Sequence, residues 1–347
     1  MDSMTGARAT AGRRRACGLL LALGALCAAA CAETRDLGTT VPRGKLPVDA
    51  RNPIILVNDG VYDNWQGEFA LLMANGGGMT LAGMIVNTGG NTPDINANID
   101  GWRKLVAAAR ASGMRSVPDP ITSIGPPLTR PANGQFASTS ANHSEGAQLI
   151  LETSSHLSLP YRPLAVVCGG RLTDVADAFL IDPTVAQRVV VVASLGSLTT
   201  SGAAMGPPNG EMDPWADAIV TSSYRFVQIS SFYDQLTDVP TSQLGSLPTN
   251  AFGDWITMKQ PQVWNLPQAA DQVGVLAVGV QTFAASVEAV SIGPLPDGGS
   301  AAGPDLVAQT GGPDWLVTQV ASADSTRLFW QLVKDPATYG GAPDGGP

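Results

Sequence analysis

The run Val189-Val190-Val191-Val192-Ala193 has no polar face. A half-exposed strand would alternate apolar with polar residues, so a run of this kind needs cover on both sides, as a central strand of a parallel sheet has. It is not isolated. Strand-like segments at 54–58, 81–87, 164–167, 188–193 and 225–229 are separated by helix-like segments at 65–74, 94–111, 144–155, 173–180 and from Pro214 onward. Such alternation specifies an α/β fold, a mainly parallel central sheet flanked by helices with a Rossmann-like core. A stretch rich in Pro, Gly, Ser and Asn at about 117–142 reads as a loop, and Gly76 to Gly78 read as a helix stop. The second half is less regular: a tryptophan-bearing segment at 250–266, an apolar run from Val273 to Val280 and a turn or hairpin connection at 293–300.

The ends are of a different kind. Arg13 to Arg15 precede an apolar run from Gly18 to Ala30 that closes in small residues, the pattern of a secretory signal too short for a comfortable membrane span. Cleavage after Ala30 would make Cys31 the lipid-bearing first residue of a lipoprotein; cleavage after Ala32 would leave a free exported chain. The expected location is the bacterial cell envelope, periplasmic or lipid-anchored, with the lipid as the sole membrane attachment. Residues 31–51 read as a tether, 52–337 as one large domain and 338–347 as a disordered tail. Without residues 1–30, which carry four Arg and one Asp, the net charge moves from −9 to −12. That acidity argues against nucleic-acid backbone binding, which needs clustered cations. Cys17 and Cys27 leave with the signal, so an internal disulfide could form only between Cys31 and Cys168, and not at all with Cys31 lipidated.

The chemistry concentrates where the first strand, Ile54 to Asn58, runs into a turn carrying Asp59, Asp63 and Asn64. Ligand sites of open α/β sheets lie beyond the carboxyl ends of the strands, and three oxygen-bearing side chains in six residues suit a hard cation such as calcium or magnesium. The same residues also suit a plain turn that caps the next helix.

Several motifs in a fixed order share this turn's significance. They are Val57-Asn58-Asp59-Gly60-Val61-Tyr62-Asp63-Asn64, Gly89-Gly90-Asn91-Thr92, Gly170-Arg171-Leu172-Thr173-Asp174-Val175-Ala176 with Asp182-Pro183, then Leu195-Gly196-Ser197, Asn209 with Asp213-Pro214 and Ala216, and finally Ala270-Asp271. Across residues 52–336 this order resembles the inosine-uridine nucleoside hydrolase family. The resemblance implies calcium-dependent hydrolysis of the N-glycosidic bond of a ribonucleoside, with a small-molecule riboside as partner; homo-oligomer formation stays open. It places Asp59 on the catalytic base and a metal ligand, and Asn64, Asp271 and the carbonyl of Gly169, or Cys168 in a slipped register, on further metal ligands. Asp63, Asn91 and Asn209 fall on ribose-holding positions.

Three positions depart from the family pattern. Val57 stands where the motif opens with Asp, Asn64 where a bidentate Asp sits, and Ala270 where purine-preferring members carry His. Fewer ligand charges weaken calcium binding, and losing a general acid costs roughly 10²- to 10⁴-fold. The competing readings are a non-catalytic or repurposed riboside- or polyol-binding surface protein, and a glycosidase for another furanoside. His143 and His156 read as surface or capping residues, Cys168 as a small buried hydrophobe, and Tyr62, Trp255 and Trp264 as packing residues.

Overall fold

In a computed structural model, the described residues are 46–62, 64–89, 92–194, 208–229, 241–263, 271–280, 282–295 and 299–340. The first half is a repeated strand and helix: β1 (Pro53–Asn58), α1 (Gln66–Asn75), β2 (Thr80–Val86), α2 (Ile95–Ala111), β3 (Pro120–Thr122), α3 (Glu145–Leu157), β4 (Leu164–Cys168), α4 (Thr173–Ile181), β5 (Val189–Ala193), α5 (Pro214–Ser223) and β6 (Arg225–Ile229). Then come α6 (Ala251–Val263), α7 (Gln272–Gly279), β7 (Ala284–Pro294), β8 (Leu306–Thr310), β9 (Asp314–Val320) and α8 (Ser322–Lys334).

The nine strands among the described residues form one sheet in the order β3-β2-β1-β4-β5-β6-β9-β7-β8. The pairs from β3 across to β9 are parallel, whereas β7 pairs antiparallel with both β9 and β8. The expected α/β architecture is therefore present, with the valine-rich strand β5 between β4 and β6 and buried throughout. Side chains alternate between two cores, as period-2 strands require. Ile54 and Leu56 point into the layer of α1, α2, α6, α7 and α8, while Ile55 and Val57 point into the layer of α3, α4 and α5. Val57, which the resemblance aligns with a carboxylate, is thus a fully buried core side chain.

Helix boundaries follow local chemistry. Asp94 caps α2 by accepting from the N–H groups of Asn96 and Ala97, Ser144 caps α3 and Asp213 caps α5. Gly76 ends α1, and Gly78 follows with φ of 75°, a backbone that glycine tolerates without strain.

Boundaries differ from expectation in three places. The tether ends sooner than residue 51, because Leu46 and Val48 are buried in the core and Asn52 Nδ2 donates to the Pro163 carbonyl at 2.6 Å. The tail starts later than 338: Thr338 is buried and donates to the Leu332 carbonyl at 2.7 Å, and Tyr339 packs on Phe252. The stretch at 117–142 contains β3, a three-residue edge strand that opens with Pro, where its missing N–H costs no ladder bond. The leader at 1–30, the tether up to Lys45 and residues 341–347 lie outside the described residues.

Candidate functional site

The chain leaves β1 toward β2 on one side and later returns to β4 on the other, so the order of strands reverses at β1. That crevice, beyond the carboxyl ends of β1, β2 and β4, is where an open α/β sheet takes its ligand. Asn58, the last residue of β1, is fully buried and organises it. Its Oδ1 accepts from the Asp59 N–H at 2.7 Å and from Asn64 Nδ2 at 3.4 Å. Its Nδ2 donates to Gln66 Oε1 at 2.9 Å and to Asp271 Oδ2 at 3.2 Å. One amide thereby ties the turn after β1 to the start of α7, far along the chain.

The two carboxylates sit against glycines. Asp59 is 8% exposed, its Oδ1 accepts from the Gly60 N–H at 2.8 Å, and Trp102 Nε1 donates to its carbonyl at 2.8 Å. A Cβ on Gly89 would lie 1.5 Å from Asp59 Oδ2, so no other residue fits there unless Asp59 moves. Asp271, also 8% exposed, packs on Gly169, where a Cβ would lie 2.6 Å from its Cγ and 2.5 Å from Asn58 Nδ2. Gly169 donates its N–H to Val57, and the Cys168 carbonyl accepts from the Ser194 N–H at 3.3 Å. Among the described residues no three His, Cys, Asp or Glu side chains gather as a metal cluster.

Asn64 is buried beside this pair. Its Oδ1 accepts from the Gln66 N–H at 3.1 Å at the start of α1, and its Nδ2 donates to the Gly60 carbonyl. Asn209 reaches the same sheet end one strand further on, donating from Nδ2 to the Ser194 carbonyl at 2.9 Å. Asp63, Asn91, Leu195-Gly196-Ser197, Trp264 and Ala270 lie outside the described residues. Of the residues singled out in the sequence, the fold thus gathers Asp59, Asn64, Gly169 and Asp271, with Asn209 adjacent.

Behind the turn lies a feature that sequence reasoning missed. Lys259 and Glu68 form an ion pair of 2.9 Å with both side chains fully buried. The ammonium also donates to the Asn64 carbonyl and stands 4.4 Å over the Trp65 ring, while Trp255 Nε1 donates to Glu68 Oε1 at 2.9 Å. Lys259 therefore bolts α6 to the acidic turn.

On the other face, the Asp174, Asp213 and Asp217 carboxylates are buried, with the Arg171 charge acting on the first two. Burial raises the Asp174 and Asp213 carboxyls above their usual range, and raises Asp217 well above it, with Asp213 adding to the effect on Asp217. The Cys168 thiol is likewise pushed well up by burial, with Asp174 and Asp217 contributing, which makes it an inert core group. His143 and His156 are exposed.

No protein-family model and no curated protein matches the chain, so its likeness is carried by solved structures. An inosine-guanosine nucleoside hydrolase superposes with a TM-score of 0.63 at 13% identity, over 82% of this chain and 99% of that one. The chain has the nucleoside hydrolase fold. An inosine-uridine preferring nucleoside hydrolase from Bacillus anthracis gives 0.58 at 16% identity, over 82% of this chain and 99% of that one. The type III effector XopQ, solved in complex with adenosine diphosphate ribose, gives 0.52 at 14% identity over 89% of this chain and 98% of that one. Within this nucleoside hydrolase-like fold the sequence is divergent.

Proposed function

We propose that the protein binds a ribonucleoside in the crevice at β1, β2 and β4 and hydrolyses its N-glycosidic bond to free base and ribose, with a calcium ion in the site. The observation that carries this reading is that Asn58, at the switch point, holds both the Asp59 main-chain N–H and the Asp271 carboxylate, each of the two aspartates packing its carboxylate where a glycine has no side chain. Two carboxylates and a main-chain carbonyl are the donor set of a hard cation. Asp59, Asp271, the Gly169 carbonyl and Asn64 Oδ1 would hold the ion. When bound, calcium would chelate the vicinal 2′ and 3′ hydroxyls of the sugar and offset developing charge. With two carboxylates rather than more, the affinity is weak for the family. Asp59 takes the proton of the attacking water, and the pair of carboxylates stabilises an oxocarbenium-like transition state. Trp102 fixes the backbone of Asp59 for that work. Asp63, Asn91 and Asn209 hold the ribose. Once its leader is removed, the mature chain would act in the cell envelope, free in the periplasm or held by lipid at Cys31.

A second reading, riboside binding without turnover, is favoured by Asn64, whose oxygen caps α1, and by the Asn58 amide, which donates to an Asp271 oxygen that a metal would otherwise use. The effector solved with adenosine diphosphate ribose supports a riboside as the ligand in either reading. Base release from a nucleoside panel, at high protein concentration with saturating calcium, separates the two. Release that disappears in Asp59→Ala supports hydrolysis; no release by the wild type, with ribose still bound, sinks hydrolysis and leaves binding.

A further inference from the structure

Buried polar atoms normally have partners, so those without them point to something absent. At the carboxyl end of the sheet three such atoms, Asn87 Oδ1, Thr92 Oγ1 and Arg171 Nε, have no hydrogen-bond partner among the described residues. They line one region. Asn87 follows β2, and its Nδ2 donates to the Arg171 carbonyl at 3.3 Å. Its Oδ1 would lie 3.0 Å from a Cβ on Gly170, and Thr92 Oγ1 would lie 2.8 Å from the same Gly89 Cβ that collides with Asp59 Oδ2. Thr92 Oγ1 thus lies beside the Asp59 carboxylate, and Asn87 Oδ1 beside Gly170 and the Arg171 main chain.

Arg171 is 7% exposed, yet its only hydrogen bond from the guanidinium among the described residues goes from one terminal nitrogen to the Gly125 carbonyl at 2.7 Å. A guanidinium offers five N–H donors, and buried donors left without an acceptor are costly. Asp174 and Asp213 are close enough to feel its charge, but their oxygens accept from Ser123 and Asn87, and from Thr173, Leu128 and Ala216. Two residues beyond Arg171, α4 begins with no side-chain cap, and the positive end of its dipole favours an anion.

We infer that Arg171 and the uncapped start of α4 form a subsite for a phosphate monoester on the riboside, so that the ligand is a phosphorylated ribose compound. The inference rests on the riboside reading above. With the 2′ and 3′ hydroxyls on the Asp59 and Asp271 side, the 5-position is the sugar oxygen left to carry the phosphate. Arg suits this task because its planar fork binds phosphate through two parallel hydrogen bonds.

Isothermal titration of the full chain, in the presence of calcium, with D-ribose, D-ribose 5-phosphate and inorganic phosphate tests it. Charge-assisted hydrogen bonds of ordinary strength predict that ribose 5-phosphate binds about 10- to 100-fold more tightly than ribose. Arg171→Met should erase that margin while still binding ribose, which also reports an intact fold, and Arg171→Lys should keep part of it. Equal binding of the two sugars, a margin that survives in Arg171→Met, or inorganic phosphate binding as tightly as ribose 5-phosphate would overturn the subsite and leave the riboside reading standing. If neither sugar binds, the riboside reading itself fails and takes the inference with it.

Discussion

Replacing Lys259 with Met should destabilise the protein by about 3–5 kcal/mol, the usual cost of removing one partner of a buried ion pair. The structure supplies the reasons. Glu68 would keep one N–H, from Trp255, and its Oε2 already has no partner among the described residues, so a carboxylate would be stranded in the core. The Asn64 carbonyl would lose its ammonium donor, and the cation would vanish from the face of Trp65. At about 2–4 °C per kcal/mol for a sizeable domain, the melting temperature should fall by on the order of 10 °C. Adding Glu68→Gln removes the stranded charge while keeping an acceptor for Trp255, so the double variant should recover at least half the loss. Urea unfolding followed by tryptophan fluorescence reads both, since Trp65 and Trp255 flank the pair. A cost below about 1 kcal/mol for Lys259→Met, or additive effects in the double variant, would refute the view that this pair holds the turn as a unit.

Other outcomes follow from the same geometry. Because burial holds the Asp217 carboxyl well above its usual range, its contribution to stability is complete below about pH 4 and lost as the pH rises; Asp217→Asn should leave the melting temperature unchanged near pH 4 and raise it near pH 7. Gly89→Ala drives a methyl onto Asp59 Oδ2, so calcium and ribose binding should fall as far as in Asp59→Ala, measured by calorimetry, with the far-ultraviolet circular dichroism unchanged. Cys168 should resist iodoacetamide in the native protein and react only after denaturation, as read by peptide mass spectrometry. Ending the chain at Asp335 removes the buried Thr338 and the Tyr339 contact to Phe252, and should lower the urea midpoint.

The parallel half of the fold was legible because its strands are short continuous apolar runs and three of its helices, α2, α3 and α5, carry their own caps. The antiparallel part was not. In β7, Ala284–Pro294, exposed and buried residues follow one another irregularly, with two register shifts against β9, so neither a continuous run nor a clean alternation marks it. At the site, carboxylates and glycines stand out by residue type, and the motif order assigned them positions. Asn58 and Asn87 did not stand out, because an Asn at a strand end looks like ordinary turn chemistry until its partners are known. Lys259 gave no signal at all: a single Lys on a helix is nearly always a solvated one, and only the approach of Glu68 from α1 makes it a core residue.

The early docking of Leu46 and Val48 has a consequence for how the protein can be held. Asn52 is fastened to the residue preceding β4, at the amino ends of the strands, whereas Asp59 and Asp271 stand at their carboxyl ends. Six residues of β1 separate the two levels, roughly 20 Å of extended chain. A pull transmitted along the chain to Asn52 therefore enters the fold at the floor of the sheet, a full strand's length from the crevice.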